Sequence, residues 1–414
     1  MDLTLNRWRI LILSTLINLC VGAIYAFSVF AGPLQEAHGW SRAVVMMAFT
    51  INGAISPIPM ILGGKLVDRG GAKLAILLGG SMFGIGFFLT GLSNTPWMLY
   101  LSYGVLTGLG QGIAYSGTIG NTIKLFPDKK GLAAGIVTAG YGGGTIIAAP
   151  IAGYLIQSSG VASAFNTMGL VYLIIIIGCG LFIKVAPAGY QPVGWTPPST
   201  IHNTPNSGQS LRWTEMVRQP KFYIIAVLFM IGALSGMMVA SNASAIGQSM
   251  FSLTAVAAAY YVSLYSLSNC LGRVFWGAVS DRLGRYNALI CIYGVIAAML
   301  LLIAMTTSTV GFAVALIGIG LCFGGTMGVF PSLVAEKFGM KYYGINYGIT
   351  FIGYSMAAFF GPRIAAQVAD THNGDFTQAF YIALAISLFG ILLALFFKWY
   401  ENRNRTVTLK NKAA

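Results

Sequence analysis

The chain has 414 residues, of which 56% are hydrophobic and only 8% are charged. Soluble globular proteins carry roughly 25% charged residues, so this composition excludes an ordinary soluble protein and indicates a polytopic membrane protein. The formal net charge of +14 would suit a nucleic-acid partner, but the distribution of the cations along the chain argues against one.

Apolar segments of membrane-spanning length follow one another along the whole chain. A transmembrane helix needs about 20 apolar residues. Twelve segments approach this length: 10–30, 43–63, 74–92, 97–121, 132–157, 163–183, 222–244, 255–276, 288–306, 310–335, 343–366 and 376–397. The first is long and no small-residue cleavage site follows it, so we interpret it as a retained helix. The sequence therefore predicts an all-α fold with 12 transmembrane helices.

The lysine and arginine residues collect on one side of the predicted bilayer. If the N-terminus is cytoplasmic, 21 of the 24 fall on the cytoplasmic side, Arg42 and Arg363 fall at the outer face, and Arg273 lies inside a span. This is the positive-inside pattern, and it predicts that both termini are cytoplasmic. The excess of basic over acidic residues therefore reflects the membrane topology and contact with membrane lipid, and we expect no nucleic-acid partner.

Glycine, charged and tyrosine residues recur in the two parts of the chain at a constant offset, which predicts two six-helix units in the same orientation, a parallel repeat. We expect an N-terminal half at 1–184, a cytoplasmic linker at 185–220, a C-terminal half at 221–398 and a cytoplasmic tail at 399–414. The pairs separated by 213 residues are Gly64 and Gly277, Asp68 and Asp281, Arg69 and Arg282, Gly71 and Gly284, Lys124 and Lys337, Gly131 and Gly344, Gly135 and Gly348, Gly140 and Gly353, and Tyr141 and Tyr354.

The loop after the second span resembles the signature loop of the major facilitator superfamily. It reads Gly64-x-x-x-Asp68-Arg69-x-Gly71-x-Lys73, and the resemblance extends along the whole chain. It implies a transporter with a central substrate cavity, in which two halves rock so that access alternates between the two sides.

Charged residues of this loop and of its repeat are predicted to control that motion. An aspartate at a helix end, with cations beside it, can latch two helix ends together on the cytoplasmic side. Breaking the latch would then favour the inward-open state. We expect gating roles for Asp68, Arg69, Asp281 and Arg282, because a solvated turn explains the cations but not the repeated aspartate.

Further segments resemble the oxalate/formate antiporter family, which belongs to a wider group of monocarboxylate-transporter-like proteins. They are Phe126-Pro127-Asp128-Lys129-Lys130-Gly131-Leu132-Ala133-Ala134-Gly135 with Ala139-Gly140-Tyr141-Gly142, Asn269-x-x-x-Arg273-x-Phe275-Trp276-Gly277, and Phe330-Pro331-Ser332. This resemblance implies secondary transport of small carboxylates across a bacterial or archaeal inner membrane.

Arg273 is the residue that best indicates the substrate. It lies eight residues inside the loop residue Asp281, which is about 12 Å at the helical rise and close to the middle of the hydrocarbon core. A cation there costs on the order of 3 kcal/mol, and such residues usually meet something anionic. Met60, its repeat partner, is apolar. We predict that Arg273 holds a carboxylate; the alternative is that backbone carbonyls and Asn269 satisfy it.

Other residues at a similar depth complete the predicted site. Asn269 precedes Arg273 by four residues and shares its helix face, where it can donate to the carboxylate or orient the guanidinium. Tyrosine hydroxyls can donate to carboxylate or hydroxyl groups, and an aromatic residue of helix 10 gives an apolar wall, although helix packing explains it nearly as well. These further predicted contacts are Tyr25, Tyr115, Tyr141, Tyr354 and Phe323.

Tyr354 marks a departure from the resemblance. The oxalate exchangers carry a lysine at the matching position, which gives two cations for a dianion. With one cation, a dianion would keep an unpaired charge in a low-dielectric cavity. We therefore favour a monocarboxylate such as lactate, pyruvate, formate or acetate. Oxalate-for-formate exchange is the nearest alternative, and a transport-inactive membrane sensor of carboxylates is the alternative from another class.

The sequence leaves the coupling of transport open. The ten acidic residues and three histidines lie in loops, termini or span edges, so no mid-depth side chain titrates near neutral pH. A proton can still enter with the substrate, whereas anion exchange needs no titratable group. Because the sequence shows no nucleophile–base pair, phosphate loop or metal cluster, we expect no enzyme activity, no cofactor and no metal.

Two runs of regularly spaced glycines predict close approach between helices. They are Gly104-x-x-x-Gly108-x-x-x-Gly112 on helix 4 and Gly320-x-x-x-Gly324-x-x-x-Gly328 on helix 10. Such faces suit halves that move around a central site, although ordinary membrane packing explains any single glycine.

Overall fold

A computed structural model describes residues 6–192, 195 and 210–413, without the side chains of 42, 43, 255, 256, 402 and 404–413. The secondary-structure elements of these ranges are α-helices, one 3-10 turn and one π-helix, and no strand occurs there. The predicted all-α class is therefore confirmed. Of the predicted linker 185–220, residues 193, 194 and 196–209 lie outside the described residues, as do most side chains of the predicted tail 399–414.

The helices of the first repeat follow the predicted spans. The second span is broken at Ser56, because Pro57 has no N–H to continue the helical hydrogen bonds and begins a new helix. The helices before and after this break are bent by 41° relative to each other. In chain order the elements are α1 Arg7–Val21, a 3-10 turn Gly22–Ala26, α2 Phe27–His38, α3 Arg42–Ile55, α4 Pro57–Asp68, α5 Ala72–Thr90, α6 Pro96–Leu99, a π-helix Tyr100–Thr107, α7 Gly108–Leu125 and α8 Lys130–Phe182.

Helix α8 contains two predicted spans. It covers 53 residues, but Gly160 inside it has φ 83° and ψ 165°, which is not helical backbone. Glycine populates this region without the steric cost that a side chain would bring. The predicted spans 132–157 and 163–183 lie on either side of this break.

The second repeat has the same succession of long helices. In chain order they are α9 Trp213–Met216, α10 Pro220–Phe251, α11 Ala255–Leu283, α12 Arg285–Met305, α13 Thr309–Phe338, α14 Tyr343–Thr350, α15 Ile352–Thr371 and α16 Thr377–Ala413. By length and composition alone, seven helices of the described residues can cross a membrane, or eight if the bent pair α3 and α4 is one span. The other predicted spans are shorter, interrupted or more polar, as in α11 with its serines, Asn269 and Arg273.

The chain divides into two compact units. Unit 1 consists of Met1–Pro127, Ile136–Tyr190 and Tyr342–Ile349, and unit 2 consists of Asp128–Gly135, Gln191–Lys341 and Thr350–Ala414. Each unit therefore contains most of one repeat and a short segment of the other. The predicted boundaries at 184, 220 and 398 do not include this exchange and stay predictions.

Aromatic side chains fill the core of unit 1. The ring of Phe30 stacks on Phe165 with centroids 4.1 Å apart, and Phe27 lies 4.3 Å from Tyr103. The Tyr103 hydroxyl, which is fully buried, donates to the Ile24 carbonyl over 2.8 Å. A buried tyrosine needs such an acceptor, and this bond holds the π-helix against the 3-10 turn.

Glycines bring α11 and α13 of unit 2 into backbone contact. A Cβ built on Gly320 would lie 2.7 Å from the Tyr265 carbonyl oxygen, and one built on Gly324 would lie 1.9 Å from the Asn269 carbonyl oxygen. Any side chain would separate these helices. The predicted close approach at the helix 10 glycines is therefore confirmed, and it places α13 directly against the segment that carries Arg273.

Candidate carboxylate site and aspartate caps

Arg273 lies on α11 in unit 2 and is 5% exposed. Its Nε donates to the Asn269 Oδ1 over 3.2 Å, as the spacing of four residues predicted. The amide therefore orients the guanidinium from the same helix. A planar guanidinium held at Nε presents its other N–H groups in a fork that matches a carboxylate.

The backbone of Arg273 is held between two glycines. A Cβ on Gly328 of α13 would lie 2.4 Å from the Arg273 carbonyl oxygen, and one on Gly135 of α8 would lie 2.3 Å from the same atom. Gly135 belongs to the short segment of the first repeat that unit 2 includes. The arginine is thus carried by a rigid element with neighbours on two sides, which is what a binding site requires for a fixed geometry.

Asn269 offers a second donor beside Arg273. Its Oδ1 is occupied by the guanidinium, whereas its Nδ2 is buried without a hydrogen-bond partner among the described residues. An amide N–H left unpaired in a buried position costs about 1–3 kcal/mol. A carboxylate oxygen is a chemically suitable acceptor for this group, and both predicted roles of Asn269, donor and orienting residue, are compatible with the geometry.

The remaining predicted residues of unit 2 lie in aromatic surroundings. Phe323 of α13 is 7% exposed and packs so closely on α10 that a Cβ on Gly236 would lie 2.3 Å from its ring. Tyr354 of α15 is half-buried, with its ring 4.6 Å from Phe351 and 6.2 Å from Phe229. These contacts describe Phe323 and Tyr354 as packed aromatic residues.

Three predicted tyrosines come together in unit 1. The Tyr141 ring lies 5.5 Å from Tyr25 and 5.1 Å from Tyr115, in edge-to-face arrangements. Tyr115 is buried, whereas Tyr25 is 37% exposed. A Cβ on Gly22 would lie 2.0 Å from the Tyr141 carbonyl oxygen, so only glycine lets the 3-10 turn approach this cluster.

Two amide residues that were not predicted support the cluster. The Tyr141 hydroxyl donates to the Gln111 Oε1 over 2.8 Å, and the Gln111 Nε2 donates to the Asn52 Oδ1 over 2.6 Å. Asn52 in turn donates to the Tyr103 carbonyl over 3.1 Å. Both amides are buried. A search for all polar side chains inside apolar spans, rather than for charges and tyrosines, would have found them.

The predicted gating aspartates each cap a helix of the opposite repeat. Within unit 1, the Asp68 carboxylate accepts from the backbone N–H groups of Gly344 and Ile345 over 2.7 and 2.9 Å. Within unit 2, the Asp281 carboxylate accepts from Gly131 and Leu132 over 2.9 Å each. The first N–H groups of a helix have no acceptor inside it, and its N-terminus favours an anion.

The two caps repeat the sequence symmetry atom by atom. A Cβ on Gly64 would lie 2.2 Å from the Gly344 carbonyl oxygen, and one on its repeat partner Gly277 would lie 2.3 Å from the Gly131 carbonyl oxygen. The repeated glycines therefore exist because two backbones approach each other there. This explains why glycine and aspartate share the offset of 213 residues.

The cation that contacts the second cap is Arg285. Arg69 and Arg282 are exposed, whereas Arg285 bonds the Asp281 carboxylate over 2.8 Å and the Glu336 carboxylate over 2.6 Å. In the first repeat Ala72 occupies the position of Arg285, so the Asp68 cap has no counterpart of this triad. No group of three or more His, Cys, Asp or Glu side chains suited to a metal ion occurs among the described residues.

An all-α membrane protein with two parallel repeats, a buried arginine and reciprocal helix caps has the architecture of a secondary transporter. The sequence profile of the Major Facilitator Superfamily matches residues 11–362. The chain belongs to that superfamily, which is a family of transporters and not of enzymes. The twelve-helix fold with two repeats and the multi-pass membrane location follow from this membership.

Several characterised and uncharacterised transporters are similar to the chain. The Oxalate:formate antiporter of Oxalobacter formigenes is 31% identical over 94% of this chain and 91% of its own. The Uncharacterized MFS-type transporter YhjX of Escherichia coli (strain K12) is 32% identical over 85% of this chain and 86% of its own. Monocarboxylate transporter 12 of Rattus norvegicus is 25% identical over 96% and 87%. The predicted resemblance to the oxalate/formate antiporter family is confirmed.

Solved structures of the same fold cover almost the whole chain. The human organic anion transporter MFSD10 (TETRAN) has a TM-score of 0.73 at 14% identity, over 94% of this chain and 100% of its own. The proton:xylose symporter XylE has a TM-score of 0.73 at 12% identity, over 94% and 95%. At these identities the likeness concerns the fold alone.

Proposed function

We propose that this protein is a secondary transporter of small monocarboxylates, in the class of lactate, pyruvate, formate and acetate, that works by alternating access. The observation that carries the proposal is the buried Arg273 with the Asn269 amide on its Nε. An arginine stays protonated at any relevant pH, and a buried cation needs an anion. A substrate carboxylate supplies one, with the Asn269 Nδ2 as an additional donor.

Charge balance favours a monocarboxylate over a dicarboxylate. The sequence places one cation at mid-depth, and its repeat partner is Met60. One carboxylate neutralises it, whereas the second carboxylate of oxalate would stay unpaired in a low-dielectric environment, at a cost of several kcal/mol. Oxalate-for-formate exchange, the function in the name of one relative, is the second candidate. A carboxylate sensor without transport is the third.

In this proposal the further substrate-binding residues are Tyr25, Tyr115, Tyr141, Tyr354 and Phe323. Rupture of the Asp68 and Asp281 caps accompanies opening to the cytoplasm. Uptake is either linked to a proton that enters with the substrate or driven by exchange of anions. We propose a bacterial or archaeal inner membrane as the location, with both termini cytoplasmic, as the positive-inside pattern predicts.

The decisive experiment compares two arginine variants in proteoliposomes. Arg273→Gln removes the charge but keeps a polar, shorter side chain, and we expect loss of a bidentate charged contact of about 3 kcal/mol, or at least 100-fold weaker lactate uptake. Arg363→Gln is the matched control, because this arginine stacks on the Phe359 ring at 3.5 Å and has no role in the proposal. Near wild-type uptake by Arg273→Gln would refute the assignment.

A second measurement separates the candidate functions. Counterflow of labelled lactate and labelled oxalate is compared in the same wild-type preparation. We expect lactate to be carried faster. Faster counterflow of oxalate would favour the exchanger and overturn the single-cation argument, whereas specific carboxylate binding without any flux would favour the sensor.

A further inference from the structure

The last helix of unit 2 is longer than a membrane span. Helix α16, Thr377–Ala413, has 37 residues, which is about 55 Å at the helical rise, whereas the hydrocarbon core is about 30 Å thick. The predicted twelfth span ends at residue 397, so the helix continues beyond it as an extension, 398–413. In the sequence, residues 398–414 carry five cations and one acid. They are Lys398, Arg403, Arg405, Lys410 and Lys412, and Glu401.

The single acid of this extension is bound to the rest of unit 2. Glu401 forms an ion pair with Lys337 of α13 and accepts from the Tyr286 hydroxyl of α12 over 3.3 Å. Lys398, three residues earlier, donates to the Asn287 Oδ1 of α12 over 2.8 Å. One face of the extension is therefore fixed to α12 and α13. The negative charge of Glu401 is paired on that face and does not neutralise cations on the other faces.

The opposite face carries an exposed stripe of three aromatic residues and one arginine. Phe396, Trp399, Tyr400 and Arg403 follow at the spacing of one helix face, about 180° from Lys398 and Glu401 at 100° per residue. All four are exposed, Trp399 by 54%. The Phe396 ring lies 6.2 Å from Trp399 and 6.3 Å from Tyr400. The Arg403 guanidinium carbon lies 5.4 Å from the Trp399 ring centroid.

The charge of Arg403 is available to a ligand. The ion pairs of the side chains that the structure describes join Arg285 and Lys337 to acids, and none of them involves Arg403. A guanidinium is planar and matches two oxygens of a phosphate. Its contact with the Trp399 indole restricts its position without using its charge for a carboxylate.

The exposed stripe continues toward the bilayer as an apolar surface. Leu392 and Phe389 precede Phe396 by four and seven residues, and they are also exposed. Along the helix the surface thus changes from aliphatic and aromatic side chains to an indole and a phenol, and then to a cation. A phospholipid has the same order of acyl chain, interfacial ester region and phosphate. Tryptophan and tyrosine are enriched at that interface for the same reason.

We propose that this stripe binds an anionic phospholipid, with the acyl chain along Phe389 and Leu392 and the phosphate at Arg403. A zwitterionic headgroup carries its own cation beside the phosphate, so it gains less from the excess of basic residues in the extension. Each cation close to an anionic membrane surface strengthens binding about fivefold. This inference goes beyond the proposed function, because it concerns a lipid ligand and no transported substrate.

The test titrates the full-length protein in detergent with single lipids and counts bound lipids by native mass spectrometry. The probes are dioleoylphosphatidylglycerol, which is anionic, and dioleoylphosphatidylcholine, which is zwitterionic. We expect wild-type protein to bind phosphatidylglycerol at least about fivefold more tightly than phosphatidylcholine. Arg403→Gln should weaken phosphatidylglycerol binding about fivefold and leave phosphatidylcholine binding unchanged.

Lys398→Gln is the matched control. It removes the same charge from the same extension, but the Lys398 ammonium is held by Asn287 on the opposite face. Its phosphatidylglycerol affinity should equal that of the wild type. Because both changes lower the net charge by one, only a site at the exposed stripe predicts that they differ.

Three results would overturn the inference. The first is equal affinity of the wild type for the two lipids. The second is an equal loss in Lys398→Gln and Arg403→Gln, which would indicate attraction to the net charge and not to a site. The third is displacement of phosphatidylglycerol by inorganic phosphate, which would indicate a soluble anion as the ligand. No transport substrate is present in these measurements, so their outcome does not depend on carboxylate binding at Arg273.

Discussion

The aspartate caps give a prediction whose size follows from the structure. Helix α8 begins at Lys130, so the N–H groups of Gly131 and Leu132 lie in its first turn and have no acceptor within the helix. Each donates to one oxygen of Asp281 over 2.9 Å. In Asp281→Asn one side-chain oxygen remains as an acceptor. One of the two hydrogen bonds is therefore lost, and the other is made to a neutral group.

The cap should lose at least about 2 kcal/mol of stabilising free energy, because two hydrogen bonds to a charged group contribute roughly 1.5–3 kcal/mol each and the one neutral bond that remains contributes about 1 kcal/mol. If the amides exchange through opening of the cap, this loss raises their exchange rates by at least about 30-fold. Arg285 keeps Glu336 as a partner in the variant, so the change should stay local to the cap.

Hydrogen exchange followed by mass spectrometry of the protein in nanodiscs measures this directly. The peptide that contains Gly131 and Leu132 should exchange faster in Asp281→Asn, while the peptide that contains Gly344 should not. Asp68→Asn is the reciprocal control and should show the opposite pattern. An unchanged rate at Gly131 and Leu132 in Asp281→Asn, or equal acceleration of both peptides in both variants, would refute the capping argument.

Two further predictions concern the packing of α13 on α11 and the side chain of Arg273. Gly324→Ala should destabilise the protein by about 1–3 kcal/mol, because its Cβ would lie 1.9 Å from the Asn269 carbonyl oxygen. The control is Gly294→Ala, where nothing lies within 4 Å of the added Cβ and the effect should be neutral or slightly stabilising. Thermal unfolding in detergent compares the two variants. A lower melting temperature for Gly294→Ala than for Gly324→Ala would contradict this reasoning. Arg273→Lys keeps the charge but loses the planar fork and its bond to Asn269, so carboxylate affinity should fall about 10- to 100-fold without being abolished. Equilibrium binding of lactate measures it, and wild-type affinity would show that the fork is not used.

Arg273 and the repeated Gly-Asp pattern show how far local sequence reasoning reaches. The helix face that Arg273 shares with Asn269 follows from helical spacing alone, because a helix fixes which residues share a face. The offset of 213 residues identified the parallel repeat. Composition was sufficient for the membrane class, since the surface of a soluble protein needs far more charged residues than the 8% present.

Other features depend on which helices meet, and no spacing rule along one chain gives that. Asp68 and Gly344 are distant in sequence, and only their contact shows that the repeated aspartate caps a helix. The partner of Asp281 is Arg285 and not the adjacent Arg282, because helical geometry turns neighbouring side chains to different faces.

The sequence by itself therefore determined the membrane class, the repeat, the family and the buried cation, because hydropathy, spacing and motifs are local properties of the chain. The tertiary structure alone decided the direction of the hydrogen bond that the Tyr141 hydroxyl donates. That direction follows from the Tyr103 carbonyl through Asn52 and Gln111, on separate helical elements, and a hydrogen bond acquires its direction only when both partners are in place.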